Sequence, residues 1–222
     1  MQLVDIQQKV PHQLFEILTS RVKELRPCQE KAIAAGLLEG KNLVVCTPTA
    51  SGKTLVAELA SLKNILEKGT KAIYVVPLRA LGTEKFKDFQ QRYGSLIKVA
   101  VSTGDFDAAD SFLADKDLIV VTAEKMDSLI RHRASWISRI GTIIIDEAHL
   151  LNDKSRGPTV EILITMLRMM LKEYQLLALS ATIGNPQEFA AWLDAELVED
   201  DWRPVILKKG ILYDHALTFY ED

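Results

Sequence analysis

Thr47 to Thr54 reads T-P-T-A-S-G-K-T, set between the apolar run Leu43-Val44-Val45-Cys46 and the segment Leu55-Val56-Ala57-Glu58-Leu59-Ala60. That order makes a strand, a tight loop and a helix. Such a loop points successive backbone N–H groups at one spot and adds the positive end of a helix dipole, which together form an anion site. In the phosphate-loop pattern G-x-x-x-x-G-K-[ST], Lys53 reaches the outer phosphates and the Thr54 hydroxyl ligates magnesium. Thr47 stands where that pattern has its first glycine, and Gly52 supplies the second. An accidental Gly-Lys-Thr turn is therefore the alternative that the rest of the chain has to exclude.

The 222 residues, 48% apolar and 26% charged, suit one large domain able to bury most of its apolar surface. No stretch approaches the roughly 20 apolar residues of a membrane span, and the polar start Met1-Gln2-Leu3-Val4-Asp5 is no signal peptide. These features point to an intracellular, cytoplasmic protein without a membrane partner. Cys28 and Cys46 are too few for a disulfide scaffold or a metal cluster. A net charge of −3 and a pI near 5.9 argue against coating of nucleic acid by bulk electrostatics. Any nucleic-acid contact has to be a narrow track of N–H groups, hydroxyls and a few cations.

Outward from the loop, apolar runs alternate with helical spacing. Leu14, Ile17, Leu18 and Val22 predict one amphipathic helix over residues 5–23, with Pro11 near its start, and residues 29–38 predict a second. Beyond the loop helix, strands are predicted at 72–76, 98–102, 117–121, 142–145 and 175–179, with helices at 79–93, 159–174 and 186–193. The 159–174 helix reads as largely buried, its methionines filling core. From Asp200 the chain reads as edge strands leading outward. Each inner strand ends in polar residues, as in an open α/β, doubly wound, mainly parallel sheet with one ligand edge.

Two strand ends carry chemistry of their own. Asp146 closes the isoleucine run Ile143-Ile144-Ile145, where a carboxylate is costly unless it faces a cation, so magnesium is its expected partner. Glu147 beside it can orient an attacking water or accept its proton. A zinc site of the H-E-x-x-H kind fails, because His149 has no partner four residues along. His12, His132 and His215 stand alone. Gln29 carries both a donor and an acceptor and suits the N6 and N7 positions of adenine, although a solvated helix residue is the alternative. Ser180 and Thr182 either relay phosphate state to another surface or cap a turn.

Gln29, T-P-T-A-S-G-K-T, P-L-R-A-L, T-G-D, T-A-E-K, D-E-A-H and S-A-T, in this order, resemble the ordered motifs of superfamily-two helicases over most of the chain. The finer text P-T-A-S-G-K-T, S-L-I-R-H-R-A-S-W-I, S-A-T-I-G-N-P and D-W-R-P-V is similar to the superkiller-type branch. Within that branch the likeness is to archaeal DNA-repair helicases related to the helicase half of DNA polymerase theta. The resemblance implies a RecA-like P-loop NTPase domain over residues 26–200, a helical segment 1–25 packed on it, and an outgoing segment 201–222. A second RecA-like domain of the same full-length chain would complete the ATP site.

The same resemblance implies roles residue by residue. Gln29 would recognise adenine, and Thr49, Ala50, Ser51, Gly52, Lys53 and Thr54 would hold ATP. Thr54 and Asp146 would serve Mg2+, and Glu147, Lys53 and Asp146 would carry the chemistry. His149, Ser180 and Thr182 would couple the nucleotide to motion, while Arg79, Thr103, Gly104, Thr122 and Lys125 would line a single-strand track. Solvated surface is the alternative for Arg79 and Lys125. Ala50 departs from the glycine that many relatives carry. The implied activity is ATP-dependent 3′-to-5′ unwinding of single-stranded or forked DNA in repair or recombination, at the nucleoid if the source is archaeal. The alternatives are an RNA helicase of the same branch, or a nucleotide- or strand-binding fragment without turnover of its own. A small-molecule kinase has no use for the S-A-T and T-A-E-K strand ends.

Overall fold

Each of the apolar runs is a strand in the computed structural model, which describes residues 1–104, 111–181, 183–205, 208, 210–214 and 216–220. In chain order come α1 (His12–Thr19), α2 (Pro27–Ala34), β1 (Leu43–Cys46), α3 (Lys53–Lys68), β2 (Lys71–Val76), α4 (Arg79–Tyr93) and β3 (Val99–Ser102). There follow β4 (Leu118–Thr122), α5 (Ala123–Arg131), β5 (Ile140–Ile145), α6 (Gly157–Met170), β6 (Gln175–Ser180), α7 (Pro186–Leu193) and β7 (Glu196–Glu199). β8 (Gly210–Tyr213) and β9 (Ala216–Phe219) form a separate exposed hairpin.

Strands β1 to β7 lie in one sheet in the order β3-β4-β2-β5-β6-β1-β7, every pairing parallel. A parallel sheet needs both faces covered, and the strands read as unbroken apolar runs for that reason. Alternate residues serve opposite faces. Val45, Tyr74, Val120, Ile144 and Leu177 join Leu14, Leu18, Leu59 and Phe89 in one core, under α1 to α4. Val44, Ile73, Val121, Ile143 and Leu176 join Met126, Leu163, Leu167 and Leu193 in the other, under α5 to α7. The doubly wound parallel sheet expected from the sequence is present.

Four local readings need correction. Residues 5–23 form a 3-10 helix, Leu3–Lys9, and then α1, not one helix. Pro11 has no N–H to give and holds Val10 extended (φ −127°, ψ 151°), so the helix restarts at His12. The second helix stops at Ala34 rather than Leu38, because Gly36 turns left-handed (φ 104°). In α6 only Met166 of the methionines packs against the core: Met169 is 83% and Met170 48% exposed, while Leu163, Ile164 and Leu167 carry the burial. Finally, α5 and β7 went unread, since their segments are short and their ends carry charged residues.

Candidate functional site

The phosphate loop leaves β1 and the acidic pair leaves β5, with β6 between them. Cys46 is level with Ser180, and Ile145 with Ala178, so both loops emerge at the same carboxyl edge, two strand spacings or about 10 Å apart. The Thr47 amide donates to the Ser180 carbonyl at 3.2 Å and ties the loop to that middle strand. Edges of this kind are where open α/β sheets take ligands.

Within the loop, Ala50 (φ 65°) and Gly52 (φ 105°) are both left-handed. The strain at Ala50, which a glycine would not carry, is held by contacts from α2 and the residue that caps it: Arg26 Nη1 donates to the Ala50 carbonyl at 2.5 Å and Cys28 Sγ to that of Ser51 at 3.1 Å. Thr47 and Ser51 share a buried hydroxyl–hydroxyl bond of 2.7 Å. Gln29 is 4% exposed, contrary to a solvated residue; it accepts the Arg26 N–H at 2.8 Å and donates to the Gly52 carbonyl at 3.0 Å. A primary amide has two donors and two lone pairs, so one of each stays available. A Cβ on Gly52 would meet Gln29 Nε2 at 2.4 Å, which together with its φ fixes glycine there. Arg26, Gln29, Gly52, Thr54 and Arg92 border a cleft of about 380 Å³. Glu58, bonded to Arg92 at 2.6 Å and Tyr93 at 2.8 Å, closes its inner wall.

Lys53 opens α3, and its ammonium donates to the carbonyls of Thr47 and, at 3.0 Å, Pro48. Burial lowers its pKa, and the negative charges of Glu147 and Asp146 pull in the opposite direction. The lysine and the acidic pair therefore sit in one electrostatic neighbourhood. Asp146 Oδ2 accepts the Tyr74 hydroxyl at 2.9 Å, and Oδ1 accepts the Glu147 N–H at 3.0 Å. Burial, together with Asp146, keeps that phenol protonated far above its ordinary range. Glu147 is itself left-handed (φ 50°), an uncommon conformation for a residue other than glycine. Thr54 and Asp146 offer hard oxygen donors that fit magnesium, and an ammonium, that of Lys85, already lies beside both. Among the described residues no group of three or more His, Cys, Asp or Glu could hold a metal, so most ligands of such an ion would be water and phosphate.

His149 Nδ1 is 3.4 Å from Glu147 Oε2, and it and Ser180 Oγ are buried without a hydrogen-bond partner. Thr182 lies outside the described residues, as do Asp105 and His215. Thr49 is exposed beside Ala50. Arg79, Thr103, Gly104, Thr122 and Lys125 gather on the other half of the edge, at the ends of the adjacent strands β2, β3 and β4. Arg79 is exposed and Thr103 and Gly104 half-buried, but Thr122 and Lys125 are 6% and 7% exposed. Thr122 caps α5, its hydroxyl accepting the Lys125 N–H at 3.3 Å.

The sequence reading missed Arg26, Tyr74 and Lys85. Lys85 had a signal: it lies four residues after Leu81 and four before Phe89, on the apolar stripe of α4. Tyr74 had one too, since a tyrosine inside a buried strand needs a partner for its hydroxyl. Nothing in the sequence marked Arg26.

The chain is 50% identical over 214 residues to "ATP-dependent DNA helicase Hel308" of Pyrococcus abyssi, covering 96% of this chain and 29% of that protein. The protein of the same name from Methanocella arvoryzae is 49% identical over 220 residues, with 96% and 30% covered. The chain thus spans about a third or less of the length of these relatives. Among solved structures, the DUF1998 helicase MrfA bound to DNA superposes with a TM-score of 0.74 at 23% identity, over 87% of this chain and 30% of that one. MrfA bound to DNA and AMPPNP gives 0.73 at 24%. At such identities the likeness speaks for the RecA-like fold alone. The family profile of DEAD/DEAH box helicases matches residues 26–189, and the chain belongs to that family.

Proposed function

We propose that residues 26–200 are the first motor domain of an ATP-dependent 3′-to-5′ DNA helicase acting in repair or recombination. Residues 1–25 brace it, and residues 201–222 lead toward a second RecA-like domain of the full-length chain. One observation carries the reading: Lys53, Asp146 and Glu147 share a single neighbourhood at the carboxyl edge, next to a loop shaped for phosphate.

In this reading ATP lies with adenine in the cleft at Gln29 and its phosphates over the loop. The available N–H and lone pair of Gln29 meet N6 and N7, and the loop amides with Lys53 hold the phosphate oxygens. Thr54 and Asp146 would hold magnesium, which would neutralise the charge that develops on the phosphates. Glu147 orients the attacking water and receives its proton. His149 and Ser180, with polar atoms left unpartnered, pass the phosphate state onward. Arg79, Thr103 and Gly104 face the strand, while Thr122 and Lys125 support it from beneath by fixing the start of α5.

An arginine from the second domain is worth about 10³ to 10⁵ in rate in related nucleotide hydrolases. This chain by itself therefore binds ATP and turns it over poorly. The test is ATP hydrolysis with single-stranded DNA or RNA present. The expected result is strong stimulation by DNA in the full-length protein and little turnover by the 222-residue chain. Equal turnover by the chain would overturn the motor-half reading, and stimulation by RNA alone would move the substrate to RNA.

A further inference from the structure

The Lys85 ammonium lies 3.3 Å from the Thr54 hydroxyl and 3.6 Å from Asp146 Oδ2, the two groups assigned above to magnesium. It comes from α4, an element outside both the phosphate loop and the acidic strand. Its stem follows the Leu81–Phe89 stripe, the side chain is 18% exposed, and the ammonium sits 5.5 Å over the Tyr74 ring. Tyr74 donates to the same Asp146 oxygen, so phenol, ring and ammonium form one unit around the carboxylate. A half-buried carboxylate at a strand end requires a cation nearby, and here the chain supplies its own.

We propose that Lys85 is a built-in counter-cation. It neutralises Asp146 between Thr54 and Tyr74 while no nucleotide is bound, withdraws when magnesium arrives with ATP, and so sets the magnesium concentration that nucleotide binding requires. The proposal rests on the assignment of Thr54 and Asp146 to magnesium. Two cations cannot share this pair of oxygens at contact distance, because like charges there repel strongly. Lysine suits the exchange: its charge is compact and its four-carbon stem is flexible, whereas a planar guanidinium would lock onto the carboxylate. Withdrawal keeps the ammonium near the edge of α4, where water solvates it.

The test is equilibrium binding of a fluorescent, non-hydrolysable ATP analogue across a range of free magnesium, for the wild type, Lys85→Gln and Lys85→Arg. In Lys85→Gln the half-saturating magnesium concentration falls by about three- to fivefold, the size of one screened ion pair, with affinity at saturating magnesium unchanged. Lys85→Arg, which keeps the charge, retains the wild-type requirement or raises it. A second readout needs no nucleotide: magnesium alone raises the melting temperature of Lys85→Gln more than that of the wild type. An unchanged magnesium requirement in Lys85→Gln overturns the proposal. So does weaker binding at saturating magnesium, which would place Lys85 on the phosphates. If wild-type binding ignores magnesium altogether, the assignment of Thr54 and Asp146 fails first, and the two failures are thereby distinguished.

Discussion

The two ends of the central sheet both bury polar side chains, and they treat them in opposite ways. At the amino ends, Asn64 donates to Thr142 at 2.9 Å and to Gln175 at 3.0 Å, and Gln175 donates onward to the carbonyls of Leu37 and Lys41. Every partner in that network lies within the chain, and it joins α3, β5, β6 and the turn before β1. At the carboxyl ends, Ser180 Oγ and His149 Nδ1 have no hydrogen-bond partner, Ala50 and Glu147 hold left-handed backbone, and Lys53 is charged against the cost of burial. The comparison teaches where stability and function are stored. The Asn64 network holds the layers in register, while unpartnered and strained groups collect at the carboxyl edge. They are not confined to it: Trp136 Nε1 before β5 and Asp127 Oδ1 in α5 are also buried without a hydrogen-bond partner, and Arg133 and Asp194 are also left-handed.

Substitutions at the two ends should separate these roles. The largest effect belongs to Lys53→Ala, which weakens ATP-analogue binding by about a hundredfold or more through the loss of charge-assisted contacts to phosphate, with little change in melting temperature. Isothermal titration with a parallel thermal melt checks both halves; strong destabilisation with binding retained would reverse the comparison. Next comes Asn64→Leu, expected to cost about 2–3 kcal/mol because Thr142 and Gln175 each lose their buried donor, yet to leave binding by the folded fraction unchanged. Chemical denaturation measures the first and analogue titration the second.

A smaller effect follows from the protonation of Lys53. In the proposed reading binding uses the ammonium, and burial sets its pKa below the ordinary 10.5, so affinity should decline as pH rises through a value lower than that of an exposed lysine. The sign is opposite for stability: the folded state holds this proton less tightly than the unfolded chain, so the buried charge costs stability at neutral pH and that cost is relieved as pH rises through the lowered pKa. An analogue titration series from neutral to alkaline pH reads this directly. The smallest effect is that of Ser180→Ala, where removing an unpartnered buried hydroxyl changes stability by less than about 1 kcal/mol, in the stabilising direction. In the full-length protein the same change is expected to lower DNA-stimulated ATP hydrolysis, and unchanged stimulation would remove Ser180 from the coupling path.

Much of this contrast was legible in the residues. The sheet could be read because strands covered on both faces are continuous apolar runs, and the ligand edge because each ended in polar text such as Asp146-Glu147 or Ser180. What could not be read depends on approach between distant elements. Periodicity placed residues 5–23 on one helix, but the backbone chemistry of Pro11 decided otherwise. Met169 and Met170 read as core, yet they stand at the exposed end of α6 while Leu163, Ile164 and Leu167 turn inward. Lys125 read as surface or nucleic-acid contact, and α5 turned it inward. The burial of Gln29 and the reach of Lys85 into the acidic pair depend on α2 and α4 lying over the loop, which no local pattern encodes.

The central claim is that the lysine of the loop after β1 and the aspartate at the end of β5, one strand removed, act on one magnesium-bound triphosphate. A double-mutant cycle tests it most directly: Lys53→Ala, Asp146→Asn and the pair together, read as binding of a magnesium–ATP analogue by the folded chain. The expected result is a loss in the double variant smaller than the product of the single losses by about threefold or more, a coupling of at least roughly 0.6 kcal/mol. Losses that simply multiply would mean that the two groups serve separate ligands, and the shared site would be contradicted.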